Sequence, residues 1–183
     1  MKRIILLLTL GTIAYTATFA QAKAVHFKKL QEFLPTMNIE GFERKKPTGQ
    51  TQTQMGMTTS EAKVRYAEKG KEEAEMAEDA PPLRSIEITI SDMAGIPYAG
   101  MVAMAYQQDF ENESENGYEK SVTVKGHRGK ESAQTGEYKD CHLEFMVANR
   151  YVIKLDAQAT DDVKMLHKLA ASIDLAKLEK LIP

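Results

Sequence analysis

The sequence predicts an α+β domain, a twisted antiparallel β-sheet with N-terminal and C-terminal helices packed on it. Three observations predict it. Segments of strict apolar–polar alternation recur between residues 60 and 155, the period of half-buried strands. Glycine-containing or polar turns separate the later ones closely enough for an antiparallel meander with one buried face. Both ends of the region beyond residue 22 carry apolar stripes at helical spacing instead. Strands bracketed by helices imply α+β.

Residues 26–34 read as a short helix with Phe27, Leu30, Phe33 and Leu34 on one stripe and lysines opposite, stopped by Pro35. Residues 38–57 are polar and rich in Gly, Gln and Thr. A strand is expected to begin at Phe42, and Pro47 and Gly49 predict a turn soon after it. Residues 60–67 alternate, with Ala62, Val64 and Tyr66 on one face and Lys63 and Arg65 on the other. Residues 70–82 form a charged insert, read as a solvated loop or exposed helix ended by Pro81-Pro82.

Residues 84–91 give the clearest strand so far, with Ile86, Ile88 and Ile90 inward and Glu87 and Thr89 outward. A Met- and Ala-rich stretch over 93–107 reads as helical after Pro97, and the acidic run 109–115 as a loop. Residues 119–125 point Val122 and Val124 inward. Gly126 and Gly129 are expected to bracket a turn, with a weaker strand over 130–135. Cys141, Leu143, Phe145 and Val147 then alternate with His142, Glu144 and Met146, and Asn149-Arg150 turn the chain into Tyr151, Ile153 and Leu155. At the C-terminus Thr160 is expected to cap a helix striped by Val163, Leu166, Ala170 and Ile173. A last turn or two brings Leu178 and Leu181 to the same core.

Composition bounds the function. The 183 residues are 43% hydrophobic and 27% charged, which excludes a disordered tail, a collagen-like fibre and a multi-span membrane protein. With 24 basic and 26 acidic side chains the net charge is −2, so no global basic field is available for nucleic acid. One cysteine excludes an internal disulfide framework.

The first 22 residues read as a signal peptide. Lys2 and Arg3 precede an apolar run from Ile4 through Phe19, which ends in the small-x-small pattern Ala20-Gln21-Ala22. The competing reading is a retained membrane anchor. A span needs about 20 apolar residues, and Gly11, Thr12, Thr16 and Thr18 interrupt this stretch. Cleavage after Ala22 leaves residues 23–183 as a single exported domain of net charge −4. No membrane span is expected in it, and its expected place is the periplasm.

Several short motifs together resemble a group of small exported bacterial proteins of unassigned function. They are Leu30-x-x-Phe33-Leu34-Pro35, Ser60-x-Ala62 to Tyr66, Ile88-x-Ile90-Ser91-Asp92, Gly117-Tyr118-Glu119 and Val124-Lys125-Gly126-His127. The hairpin from Val147 to Val152 and Ser172-Ile173-Asp174-Leu175-x-x-Leu178 complete the set. The order of strands and helices is also similar to the PsbP/Mog1-type fold. That second likeness is topological, and fold alone assigns no function.

Candidate chemistry is sparse. Cys141 and His142 are adjacent strand residues that face opposite ways and so cannot readily grip one ion. Cys141 is expected to be a buried, inert thiol; an intermolecular disulfide or a reactive thiol is the alternative. His127 and Arg128, read in a turn between two glycines, offer an imidazole and a guanidinium to an anion. His26 and His167 read as solvent-facing. Ten methionines include Met55-Gly56-Met57 and the group Met93, Met101 and Met104. Thioethers suit Cu(I), so a methionine-based copper-handling protein is an alternative reading; plain core packing is the other.

There is no G-x-S-x-G elbow, no phosphate loop and no zinc spacing. Asp92, at a strand end, is the one acid whose place invites a role, read first as a helix cap. An enzyme with an unrecognised site stays open behind the others. The leading expectation is a non-catalytic exported module without a cofactor. It would bind a small apolar ligand or another envelope protein, with residues 93–107 as one wall of a cleft over the sheet. Met93, Met101, Met104, His127 and Arg128 are its candidate ligand-binding residues.

Overall fold

The computed structural model of the protein describes residues 23–71, 83–94, 96, 99–137 and 139–181. The predicted signal peptide, the charged insert from residue 72 onward, Gly95 and Pro97 lie outside the described residues. In chain order the elements are α1 (Phe27–Gln31), β1 (Phe42–Arg44), β2 (Thr48–Gln54), β3 (Met57–Glu68), β4 (Ser85–Asp92) and α2 (Ala99–Ala105). There follow β5 (Glu111–Ser114), β6 (Gly117–Val124), β7 (His127–Gln134), β8 (Asp140–Val147), β9 (Tyr151–Gln158), α3 (Val163–Ala171) and α4 (Leu175–Glu179).

The strands join in one antiparallel sheet in the order β1-β3-β4-β9-β8-β7-β6-β5, with β2 also paired to β3. This is the predicted α+β class. The alternation of β4 lies in register with its neighbours: Ile88 stands opposite Val64 on one side and Leu155 on the other, and Leu155 opposite Leu143. One face therefore carries Ile86, Ile88, Ile90, Phe145, Ile153 and Leu155, all at 0% exposure. Leu30, Leu166, Leu169, Leu175 and Leu178 from the three helices α1, α3 and α4 close the same core. At about 25 cal/mol per Å² of apolar surface removed from water, this face supplies the main driving force for folding.

Aspartates start the two C-terminal helices. Asp162, not Thr160, caps α3 by accepting a hydrogen bond from the Met165 amide, and Asp174 caps α4 through the Lys177 amide at 3.0 Å. Of three consecutive candidates at 160–162, the winner is the residue directly before the helix, where a carboxylate also meets the positive helix end.

Two polar stretches read as loops are strands. The acidic run at 109–115 contains β5, paired to β6 at the sheet edge, and residues 48–54 form β2 along β3. Gly49 is therefore a strand residue. The turn expected between Gly126 and Gly129 is also shorter than predicted. Only Lys125 and Gly126 (φ 49° and 90°) turn the chain, and His127 and Arg128 already belong to β7. Gly129 is a packing glycine: a Cβ there would lie 2.2 Å from the Glu144 carbonyl oxygen and 2.5 Å from Phe145 Cβ. His167 is likewise no free surface residue, since its Nε2 lies 2.6 Å from Glu131 Oε2.

The opposite face of the sheet is mostly polar. There α2 packs a small second cluster, with Ala103 and Tyr106 against Met146 and Val152 and flanked by Met93 and Val102. Among the described residues no helix is long and apolar enough to cross a membrane.

Candidate ligand-binding cavity

At one end of the sheet, Asp92 closes β4 and Tyr151 opens β9, directly opposite one another. Asp92 is fully buried. Its carboxylate accepts hydrogen bonds from the Val25 amide (2.7 Å), the Ala94 amide (2.9 Å), and Arg150 Nε (2.9 Å) and Nη2 (2.7 Å). Arg150 Nη2 also donates to the Lys23 carbonyl at 3.2 Å. Asp92 is thus the buried half of an ion pair that fastens the segment leading into α1, not the helix cap expected of it. Next to it, the Tyr151 hydroxyl donates to the Leu181 carbonyl at 2.6 Å, which fastens the chain beyond α4. Burial pushes the Tyr151 hydroxyl up to about 12, so it stays a donor across the physiological range.

Between these two fastened segments and the β2–β3 hairpin opens a cavity of about 760 Å³. Ala24, Val25, Phe33 and Leu181 give it apolar walls. The hairpin contributes Thr51, Thr53 and Thr58, whose hydroxyls are turned to local partners. Thr51 Oγ1 accepts from the Phe27 amide at 3.0 Å and meets Ser60 Oγ at 2.7 Å, while Thr53 and Thr58 meet each other at 3.0 Å. Among the described residues, Lys23, His26, Lys29 and Lys177 stand around the cavity with a single acid, Glu32. Lys177 Nζ lies 5.6 Å from the centroid of the Phe33 ring, a cation above an apolar surface.

A second, smaller groove of about 400 Å³ crosses the polar face beside α2. Met93, Val102 and Tyr106 line it on the α2 side, over the sheet. Met101 and Met104 do not. They are 72% and 71% exposed, on the side of α2 turned away from the sheet. The helix repeat instead turns Val102, Ala103 and Tyr106 inward. The floor is neutralised internally: Lys154 pairs with Glu144 at 3.3 Å, Lys63 with Glu61 at 3.3 Å and Glu87 at 3.5 Å, and His142 with Asp156 at 2.7 Å. Tyr106 donates to Glu144, whose carboxyl burial pushes above the usual range. Such a surface has few free donors or acceptors to offer a ligand.

His127 and Arg128 do not act together. As neighbours in a strand they face opposite sides of the sheet. His127 Nε2 lies 3.5 Å from Glu179 on α4, while Arg128 is engaged by Asp109 and by the Gln107 carbonyl. The hydrogen bond from Arg128 holds the Asp109 carboxyl below its ordinary range. Cys141 is buried and free, and burial pushes its thiol up to about 12, which suits the inert reading. Of the other methionines, Met55 sits at 89% exposure in the β2–β3 turn, with φ 52°. Among the described residues no group of three or more His, Cys, Asp or Glu is placed to hold a metal ion.

Sequence reasoning missed the cavity. Its lysines and threonines come from three separate stretches of sequence, 23–29, 51–58 and 177, and no local motif marks them. No protein-family model, curated protein or solved structure matches the chain.

Proposed function

We propose that the chain is an exported, non-catalytic binding module that takes a small apolar ligand into the cavity between the segment before α1, the β2–β3 hairpin and α4. The observation that carries this reading is the cavity itself. Its 760 Å³ falls within the roughly 300–1,000 Å³ of small-molecule sites, and its walls are apolar. The leader read at residues 1–22 supports export to the periplasm, and Ala24 and Val25, just past the expected cleavage point, are buried.

Titration with N-phenyl-1-naphthylamine, a neutral apolar dye, tests the proposal. Saturable fluorescence enhancement at one site per chain is expected. Thr58→Trp, which places an indole at the hairpin wall, should lower the affinity at least about tenfold without lowering the melting temperature. Enhancement that never saturates, or affinity unchanged in both Thr58→Trp and Thr53→Trp, overturns the assignment.

A further inference from the structure

We propose that the ligand of this cavity is a single-chain amphiphile ending in one anionic group, held with its chain against Phe33 and its head among Lys23, Lys29 and Lys177. This rests on the cavity reading above and adds the charge of the ligand to it. The chain as a whole is acidic, with a net charge of −2, yet among the described residues three lysines stand around this cavity against one carboxylate, Glu32. That local excess favours an anion at the rim.

Glu32, the one counter-charge among the described residues, is weakly held. Glu32 meets Lys29 at 3.6 Å, with both side chains more than half exposed, and an exposed pair of this kind is weak. An incoming anion therefore displaces little. Lys177 sets head and tail sites side by side, because its ammonium lies over the same Phe33 ring that walls the apolar space. Lysine ammoniums are point charges without the planar fork of arginine. They bind carboxylate and phosphate alike, so the shared chemistry is the terminal negative charge. The polar groove on the other face has no such surplus, because its lysines already meet carboxylates within the sheet.

Competition against the neutral dye, at pH 8 and below micelle concentrations, tests this with four twelve-carbon probes: dodecanoate, dodecyl phosphate, 1-dodecanol and dodecyltrimethylammonium. At least one anionic probe should displace the dye about tenfold more tightly than 1-dodecanol, with the cationic probe weakest. The relative strength of dodecanoate and dodecyl phosphate tells a carboxylate source from a phosphate one. In the folded double variant Lys29→Gln/Lys177→Gln the anion advantage should fall to about threefold or less, while dye affinity and the response to 1-dodecanol persist. Lys154→Gln, on the opposite face, should leave all four probes unchanged. Equal binding of alcohol and anions, or an anion advantage intact in the double variant, overturns the head-group assignment and leaves the apolar cavity standing. Failure of the dye and of every probe to bind overturns both.

Discussion

Glu131 shows how a side chain can belong to the core face and still carry charge. It sits in β7 opposite Leu143 at 6% exposure, where an unpaired carboxylate would be costly. Burial pushes its pKa up, but hydrogen bonds from His167 (2.6 Å), Tyr118 (3.0 Å) and Lys120 (3.3 Å) outweigh that, and the carboxyl stays below its ordinary 4.5. A depressed folded-state pKa means the cluster contributes its stability above pH 4.5 and loses it as pH falls through the folded value. Urea midpoints measured from pH 6 down to pH 3 should therefore fall steeply in the parent and less steeply in Glu131→Gln. Parallel slopes would show that Glu131 is not preferentially ionised in the fold. The cluster was hidden in sequence because Glu131 lies within a weak, charged strand pattern. Only the register with Ala133 and Gly129, and the arrival of α3, show that it faces inward.

At the scale of elements, legibility followed burial. The strands β4, β8 and β9 are central and carry apolar residues at every second position, so their faces can be read directly from alternation. The strand β2, Thr-Gly-Gln-Thr-Gln-Thr-Gln, lies on the outer edge of β3 with most of its side chains exposed, and so has no apolar period to read. The acidic β5 is the same case at the other edge, since edge strands keep charge to deter further pairing. For α2, a face cannot be chosen when Met101, Val102, Ala103 and Met104 are all apolar, and the tertiary contact with Met146 and Val152 decided it. Register is most demanding where one face is fully buried, and Phe145 tests it. It stands between Gly129 and Ile153 at 0% exposure, so Phe145→Ala should lower stability by about 3–5 kcal/mol in urea unfolding. A loss within about 0.5 kcal/mol would place the ring on the surface and shift β8 by one residue.

At the scale of the whole molecule, one long-range contact that no sequence pattern announces ties distant segments together. Asp92 and Arg150 are 58 residues apart, at the ends of strands that the meander brings together. Their pair holds Val25 and Lys23, and through them one wall of the cavity. The sequence marked Asp92 as unusual from its position alone. It did not supply the partner, because Arg150 sits in a turn where an exposed arginine is ordinary. The pair links folding to binding in a testable way. Removing one member of a buried pair leaves an uncompensated charge, which typically costs about 3–5 kcal/mol. Arg150→Met should therefore destabilise the chain by that order, because Asp92 stays buried without its guanidinium partner. Adding Asp92→Asn to it should recover only part of the loss: the neutral amide needs no cation, but its NH2 must face either the Val25 or the Ala94 N–H, which the two carboxylate oxygens accept from in the parent. Dye affinity should be weaker than the parent in both variants under folding conditions, because neither retains the Arg150 bond to Lys23 and the wall loosens. If the double variant is as unstable as the sum of its singles, the two side chains are energetically independent. If Arg150→Met binds dye as the parent does, the wall is held by something other than this pair.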